Sequence, residues 1–526
     1  MLRRSLAHGS TRACSKRIEP IVEDLVVAEL VDQVRLTRGS EYVFHHPLIR
    51  TVAYDSQLKS DRAELHRRLA AAIEAREPQS IDQNAALIAK HLEAAGDLHA
   101  AYGWHMRAAT WATNRDITAA QQSWERATRI ADALPADDPD RAAMRIAPRT
   151  MLCGIAFRAH LNVVGARFDE LQELCTAAGD KASLAIAMAG LVADHVFQAR
   201  VREASRVASE AWALIDSVGD ATLTVGLSTL VIFAKLESGE WSDMHRWSQT
   251  AIDLADGDPS KGNLIGVSPL ALAFTTRAVA RYCLGRPRWR DDLRHALSTA
   301  RTTDPASYAW TLVYVYLPGI PLGVLSPDDS AMSEMEAALR IAERSGDDLT
   351  LSNARLTLGN ALVHRPTDTE RDRGRKLLTE VSDELLRRGH NLCDRPIVDV
   401  YLARESARRG RRADAVPLMR AAVDHLFREG QLLTWCVPAT GVLVDTLLDH
   451  GSESDMAEAE AAIARLAAAP ADGGLVIREV WLLRLRAMLA QAHGDNAAYR
   501  DHRDRYRDMA RSLGFEGHVK WAEAMP

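Results

Sequence analysis

The chain has little besides packing to hold it together. Its 526 residues contain six cysteines (Cys14, Cys153, Cys175, Cys283, Cys393 and Cys436), and no two are close enough in sequence to form a CxxC. This excludes the spacing of a zinc knuckle or a dense disulfide framework and reads as free thiols in a reducing cytoplasm. Charge of one sign is also lacking. Acids number 71 and bases 65, for a net charge of −6, so no bulk field attracts nucleic acid or a membrane. No apolar run approaches the ~20 residues of a membrane span. The basic N-terminus (Arg3, Arg4, Arg12, Lys16, Arg17) has no apolar stretch of the kind a secretion signal needs. Residues 1–19 are expected to form a disordered leader. Only eight of the 65 basic residues are lysine, a bias that goes with a GC-rich bacterial genome.

The usual catalytic constellations are missing too. There is no GxxxxGK[ST] phosphate loop, no GxGxxG after a strand, no HExxH and no GxSxG elbow. Lys261 precedes its glycine and has no strand before it. Acid pairs such as Asp137-Asp138, Asp291-Asp292 and Asp347-Asp348 fall at inferred helix starts, where capping explains them. Histidines are scattered; His99 and His105 lie six apart, a poor spacing for one helix face. The expectation is a protein without enzymatic activity, cofactor or metal.

What is present is a repeating glycine. Gly179, Gly219, Gly257, Gly346, Gly389, Gly430, Gly473 and Gly514 follow one another at about 40-residue steps or a double step, with Gly96 a double step before the first. Gly239, Gly410, Gly451 and Gly494 fall halfway between. The intervening sequence is rich in Ala, Leu and Arg and helical in period. Units of about 40 residues with two helices each predict an α-solenoid, in which every unit stacks on its neighbours. Many joints read small-Gly-Asp (94–97, 177–180, 217–220, 344–347). The glycine suits the left-handed residue that ends one helix, and the aspartate suits the N-cap of the next.

Two stretches depart from that rhythm. Residues 20–58 predict a helix (EDLVVAELVD) followed by a hairpin turning at Arg38 to Glu41, which is the closing part of a winged helix. Leu317–Pro327 (LPGIPLGVLSP) is apolar despite its prolines and glycines. It should fold back on the solenoid or mark a change in its curvature. The helical regime should open with Asp61 as N-cap and Glu64 three residues on. Eleven tryptophans are more than a chain of this size usually holds. Trp104, Trp111, Trp124, Trp212, Trp247, Trp310, Trp435 and Trp481 fall in helical stretches, as packing residues or as anchors in a groove. The basic clusters (Arg67-Arg68, Arg286 to Arg290, Arg387-Arg388, Arg408 to Arg412) read as helix-end charges.

The segment YVFHHPLIRTVAYDSQLKSDRAELHRRLAAAIE (42–74) resembles the winged-helix-to-repeat junction of bacterial STAND-type signalling ATPases. Those are fused to class III adenylate/guanylate cyclase domains or to LuxR-type DNA-binding domains. The resemblance is carried by Phe44, His46, Pro47, Leu48, Ile49, Ala53, Tyr54, Leu65 and His66. The end of the chain, ARSLGFEGHVKWAEAM (510–525), is similar to the cyclase-fused branch. The matched stretches correspond to the C-terminal portion of that architecture. The resemblance implies tetratricopeptide-like repeats over 59–513, a C-terminal tail over 514–526, and His46 as a nucleotide contact when a partner supplies the ATPase domain.

The expected fold is thus an all-α, tetratricopeptide-like solenoid with a small winged-helix remnant. The expected function is a non-enzymatic regulatory or scaffold module of bacterial signal transduction. It would bind a protein, peptide or small effector in its helical-repeat groove, without direct contact to nucleic acid or membrane. Two alternatives are a split part of a cyclase–ATPase regulator acting with a separately encoded partner, and a LuxR-type regulator lacking its DNA-binding part. An enzyme with an unrecognised site is a third.

Overall fold

The computed structural model describes residues 12–36, 39–76, 78–113, 115–157, 166–263, 266–345, 347–389, 391–431, 434–470 and 474–526. Two compact units meet in sequence at Pro148. The fold is an all-α, tetratricopeptide-like solenoid, with 25 helices and one two-stranded sheet among the described residues.

The N-terminal unit opens with α1 (Arg12–Val27), β1 (Val31–Leu36), β2 (Gly39–Phe44) and α2 (Pro47–Asp55). The strands pair antiparallel, Val31 opposite Phe44 and Leu36 opposite Gly39, so the expected hairpin is present, but Gly39 to Glu41, expected in its turn, are paired residues of β2. The helix before it differs from the expectation. It begins at Arg12, inside the segment expected as a leader, and ends at Val27. Then come α3 (Lys59–Arg76), α4 (Ile81–Ala94), α5 (Leu98–Ala112) and α6 (Ile117–Ala133), each packed on the next; α7 (Arg141–Ile155) runs across the division. Because α3 starts at Lys59, Asp61 lies in its first turn rather than at its cap, and Glu64 pairs with Arg67 and Arg68.

The C-terminal unit continues with α8 (Ala166–Ala178), α9 (Lys181–Phe197), α10 (Val201–Val218), α11 (Ala221–Ser238), α12 (Trp241–Ala255) and α13 (Pro269–Cys283). Next are α14 (Trp289–Thr303), α15 (Pro305–Gly319), α16 (Asp329–Ser345), α17 (Asp348–Leu362), α18 (Asp368–Arg388) and α19 (Arg395–Arg408). Last are α20 (Arg412–Glu429), α21 (Cys436–Leu448), α22 (Glu453–Ala467), α23 (Val476–Ala492), α24 (Asn496–Leu513) and α25 (Glu516–Glu523). The odd-numbered helices from α9 to α23 pack on one another as well as on their neighbours, forming an inner layer. Sequence follows from that position. The outer helix α14 buries one stripe, Trp289, Asp292, Leu293, Ala296 and Ala300, at helical spacing. The inner helix α21 buries nearly every residue. Helix α11 is long and apolar enough by composition to cross a membrane, yet two-thirds of it is buried in protein.

The glycine joints behave as expected. Gly96, Gly179, Gly219, Gly257, Gly389, Gly430 and Gly514 all have positive φ. Gly346 and Gly473 lie outside the described residues. Asp97, Asp180 and Asp220 accept hydrogen bonds from the backbone N–H groups of Ala100, Ser183 and Leu223. Asp347 instead accepts from the Thr350 hydroxyl.

Spacing alone gave no sign that successive turns of the array touch. The ends of α9 and α11 and the body of α13 meet α19, α21 and α23, each ten helices further on. Helix α9 contacts the 3₁₀ turn Leu392–Asp394 that leads into α19, and α13 contacts α23. At the end of α11, the Leu236 carbonyl accepts from the Thr434 hydroxyl, just before α21. The loop after α15 continues the series to α25. Leu322 O accepts from Trp481 Nε1 at 3.1 Å and faces His518 Nε2 at 3.0 Å. Gly323 O accepts from His518 N at 3.0 Å, and Val324 O from Glu516 N at 2.9 Å. The apolar segment 317–327 therefore does fold back on the array. The expected tail 514–526 is instead a docked helix, because His518 and Phe515 are fully buried there. Five hairpins make one turn, and the next turn lies directly against it. Helices α9–α15 and α19–α25 thus meet along a seam.

Two joints separate local strain from seam contact. A Cβ at Gly219 (φ +72°) would meet nothing within 4 Å. Gly219→Val should therefore cost about 1–2 kcal/mol, the strain of a left-handed non-glycine residue, with hydrogen exchange rising in α10 and α11. A Cβ at Gly430 (φ +86°) would lie 2.8 Å from Arg202 Cγ. Arg202 donates to the carbonyls of Arg428 and Phe427 at 3.0 and 3.2 Å. Gly430→Val should cost more, and exchange should rise at the start of α10, more than 200 residues away in sequence, as well as in α20. Unchanged protection of that end of α10 would contradict the seam.

Candidate functional site

In the N-terminal unit, His46 is the N-cap of α2. Its Nδ1 accepts from Leu48 N at 3.1 Å, Pro47 fills the first helical position, and the ring is exposed. The neighbouring Asp32 carboxylate bonds the His45 ring at 3.0 Å and raises its pKa. Leu48 and Tyr54, expected as packing residues, are 66% and 40% exposed. Val52 (68%), Leu58 (70%) and Leu65 (51%), on α2, on the link to α3 and on α3, are exposed as well. Leu48 and Val52 are four apart, so they share one side of α2. A hydrogen-bonded chain runs from Tyr54 OH to His66 Nε2 (2.9 Å) and from His66 Nδ1 to His91 Nδ1 (2.9 Å). Burial lowers the pKa of both histidines. His99, Asp138 and Asp140 place ligand atoms within 4.8 Å of one another at the surface. Asp138 also accepts from Asp140 N at 2.9 Å, the arrangement of a helix-start turn.

The C-terminal unit holds the more specific arrangement, in the seam. Glu237, at the last turn of α11, and Asp394, just before α19, are 1% and 4% exposed. They line one pocket with Phe197, Phe233, Tyr314 and Trp435. Its void is about 10 Å³, room for one water-sized group. Glu237 Oε2 accepts from Gln431 Nε2 at 2.9 Å and from Trp435 Nε1 at 3.0 Å. Asp394 Oδ2 accepts from Asn391 Nδ2 at 3.2 Å. Glu237 Oε1 and Asp394 Oδ1 have no hydrogen bond from a described residue. Phe233 meets Tyr314 edge-on at 5.5 Å. Burial, and then the charge on Asp394, push Glu237 up to about 8; burial pushes Asp394 up to about 7. Burial of two acids with no cation beside them thus favours their protonated forms.

The tryptophans divide. Trp124 and Trp247 are buried packing residues; Trp104, Trp111, Trp212 and Trp310 are half-buried. Trp435, which precedes α21, and Trp481 are seam anchors through their indole N–H groups. The basic clusters are held by ion pairs: Arg388 with Asp348, Arg409 with Asp372, Arg412 with Asp455, Arg290 with Glu516. Asp292 is more than a helix-start acid. It is 2% exposed and is gripped by Arg277 and Arg281. Cys175, Cys283, Cys393 and Cys436 are buried thiols outside any disulfide.

No protein-family model matches the chain, and no curated protein matches it. Among solved structures it is similar to yeast Tom70, with 11% identity over 89% of this chain and 96% of that chain and a TM-score of 0.29. It is also similar to the structure of Naa15/Naa10 bound to HypK-THB (13% identity, 90% of this chain, 76% of that chain, TM-score 0.24). A third is a circular tandem repeat protein with novel repeat topology (14% identity, 88% of this chain, 93% of that chain, TM-score 0.12). The fold assignment rests on the helix pairing described above.

Proposed function

We propose that the chain is a non-enzymatic scaffold of bacterial signal transduction, acting in the cytoplasm, whose N-terminal unit docks a protein partner. The observation that carries this is the exposure of Leu48, Val52, Leu58 and Leu65, in an N-terminal unit that also exposes Ile21, Val27 and Leu87, whereas in the C-terminal unit the exposed large apolar side chains among the described residues are Leu386 and Leu418. Exposed apolar residues concentrated in this way mark an interaction surface. The resemblance of residues 42–74 to STAND-type regulators supports the choice of partner, a separately encoded ATPase or cyclase–ATPase domain. His46 sits next to Leu48 in sequence, its Nδ1 committed to the α2 cap and its Nε2 without a partner among the described residues.

The experiment is in-cell photo-crosslinking from a photoreactive residue placed at position 48 or 52. One discrete protein adduct is expected, and it should disappear when Leu58 and Leu65 are both changed to Asp. No adduct from either position, or an adduct indifferent to those charges, would overturn the reading.

A further inference from the structure

Helices α2 and α3 have little buried packing of their own: of their residues only Ala70 is buried. Polar contacts therefore carry much of the attachment of this corner of the N-terminal unit. Arg62 on α3 lies 4.7 Å over the Tyr54 ring and donates to Tyr54 O at 3.3 Å and to the Asp55 carboxylate at 2.9 Å, which ties α2 to α3. Tyr54 OH meets His66 Nε2, and His66 ties α3 to α4 through His91. The two Nδ1 atoms are 2.9 Å apart and the ring centroids 5.1 Å, close to that distance plus the two ring radii. The rings thus point at each other end-on. An imidazole nitrogen offers either a lone pair or an N–H. A contact this short needs one of each, so one proton lies between the two Nδ1 atoms. Protonating both rings sets two donors and two positive charges against each other.

The surrounding charges add to that repulsion. Arg62 acts on His66 and Lys90 on His91, and both are positive. Helix α2 contributes the neutral Tyr54, its Asp55 being paired with Arg62. Neither α5, which packs on α4, nor the 3₁₀ turn Pro78–Ser80 sets a charge against either ring among the described residues. We propose that the Tyr54–His66–His91 chain is a pH-sensitive latch, which holds the α2–α3 corner on α4 and lets it go when both imidazoles are protonated. The corner carries Leu48, Val52, Leu58 and Leu65, so its release moves the docking surface. That consequence rests on the docking reading; the latch itself does not. Two separated imidazoles hold one proton more than the pair in contact. Release should therefore grow as pH falls below about 6.5, by up to about tenfold per unit.

Hydrogen exchange on the full chain, corrected for the intrinsic pH dependence of exchange, tests this at about pH 7.5 and about pH 5.5. Opening of residues 47–66, taken relative to α6 of the same unit, should rise at least about threefold at the lower pH. His91→Asn and, separately, His66→Asn each place an amide near the lost Nδ1, able to donate or accept, and remove one titration. Protection equal to wild type at the higher pH shows that a variant keeps the contact, and in such a variant the rise should vanish. A wild-type ratio that does not change with pH, or a rise of equal size in a variant that keeps the contact, would overturn the proposal. Exchange needs no partner, and the crosslinks from positions 48 and 52 are read at neutral pH, so either reading can fail alone.

Discussion

Trp481→Ala should destabilise the C-terminal unit by about 3–5 kcal/mol, the range for removing a buried aromatic side chain. The indole is 4% exposed. Its N–H donates to Leu322 O, and its ring meets His518 and Trp521 edge-on, both at 5.4 Å. The Arg484 guanidinium lies over both indoles. The ring also lies against Gly441, where a Cβ would come within 2.1 Å of it. The truncation therefore opens a cavity and leaves the buried Leu322 carbonyl one donor short, at the place where α25 docks. Urea denaturation should show the loss, and limited proteolysis should then cut near residue 514. A change below about 1 kcal/mol with α25 still protected would mean that the contact between turns contributes little. Gly441→Ala should move stability in the same direction, because the backbone of α21 and the indole have no room to separate.

Stability should also fall as pH rises from about 6.5 to about 8. The ordinary pKa values of Glu237 and Asp394, 4.5 and 3.8, are raised in the folded chain to about 8 and about 7. Between the ordinary and the raised values the unfolded chain has lost protons that the folded chain keeps. Alkali therefore favours unfolding, by about 1.4 kcal/mol per pH unit for each carboxyl in its window. The acid side runs the other way. Burial pushes His364 and His518 down to about 3, against an ordinary 6.5, so below about pH 6.5 the unfolded chain takes protons that the folded chain refuses. The hydrogen bonds at His518 fit its neutral form, with Nε2 donating to Leu322 O and Nδ1 facing Tyr506 OH at 2.9 Å. Between about pH 4.5 and 6.5 His364 and His518 only offset the two carboxyls, and His195 and His245, which burial pushes down to about 4, tip the balance, so maximum stability should lie near pH 6.5. Glu237→Gln keeps an acceptor for Gln431 and Trp435 and removes the titration, so it should flatten the alkaline limb and stabilise the protein at pH 8. An alkaline limb unchanged by this substitution would place its origin elsewhere.

The repeat was legible because its signals are local. A glycine able to take positive φ and an aspartate able to cap suffice to mark a joint, and each acts within four residues. The hairpin at 31–44 was legible for the same reason. The seam was not. Glu237 in LES and Asp394 in CDR look like ordinary helix-end acids, and only the stacking of one turn on another removes them from water. The apolar run 317–327 was the one hint, since an exposed loop would not carry Leu317, Ile320, Leu322 and Val324 together. Leu48 and Tyr54 misled in the opposite sense. An apolar residue in a helical period reads as core, and periodicity does not say whether anything covers it.

The stacking of turns also bears on synthesis. An open repeat array can fold as it leaves the ribosome, each hairpin settling on the last. Here Gln431 and Glu237, which are bonded, lie 194 residues apart in the chain. At about 5–20 residues per second, the ends of α9, α11 and α13 wait about 10–40 s for the segments that cover them. During that interval Leu236, Phe233 and the two-sided inner helices face the cell's other nascent chains. The burden of closing the seam therefore falls on whatever shelters half-made protein.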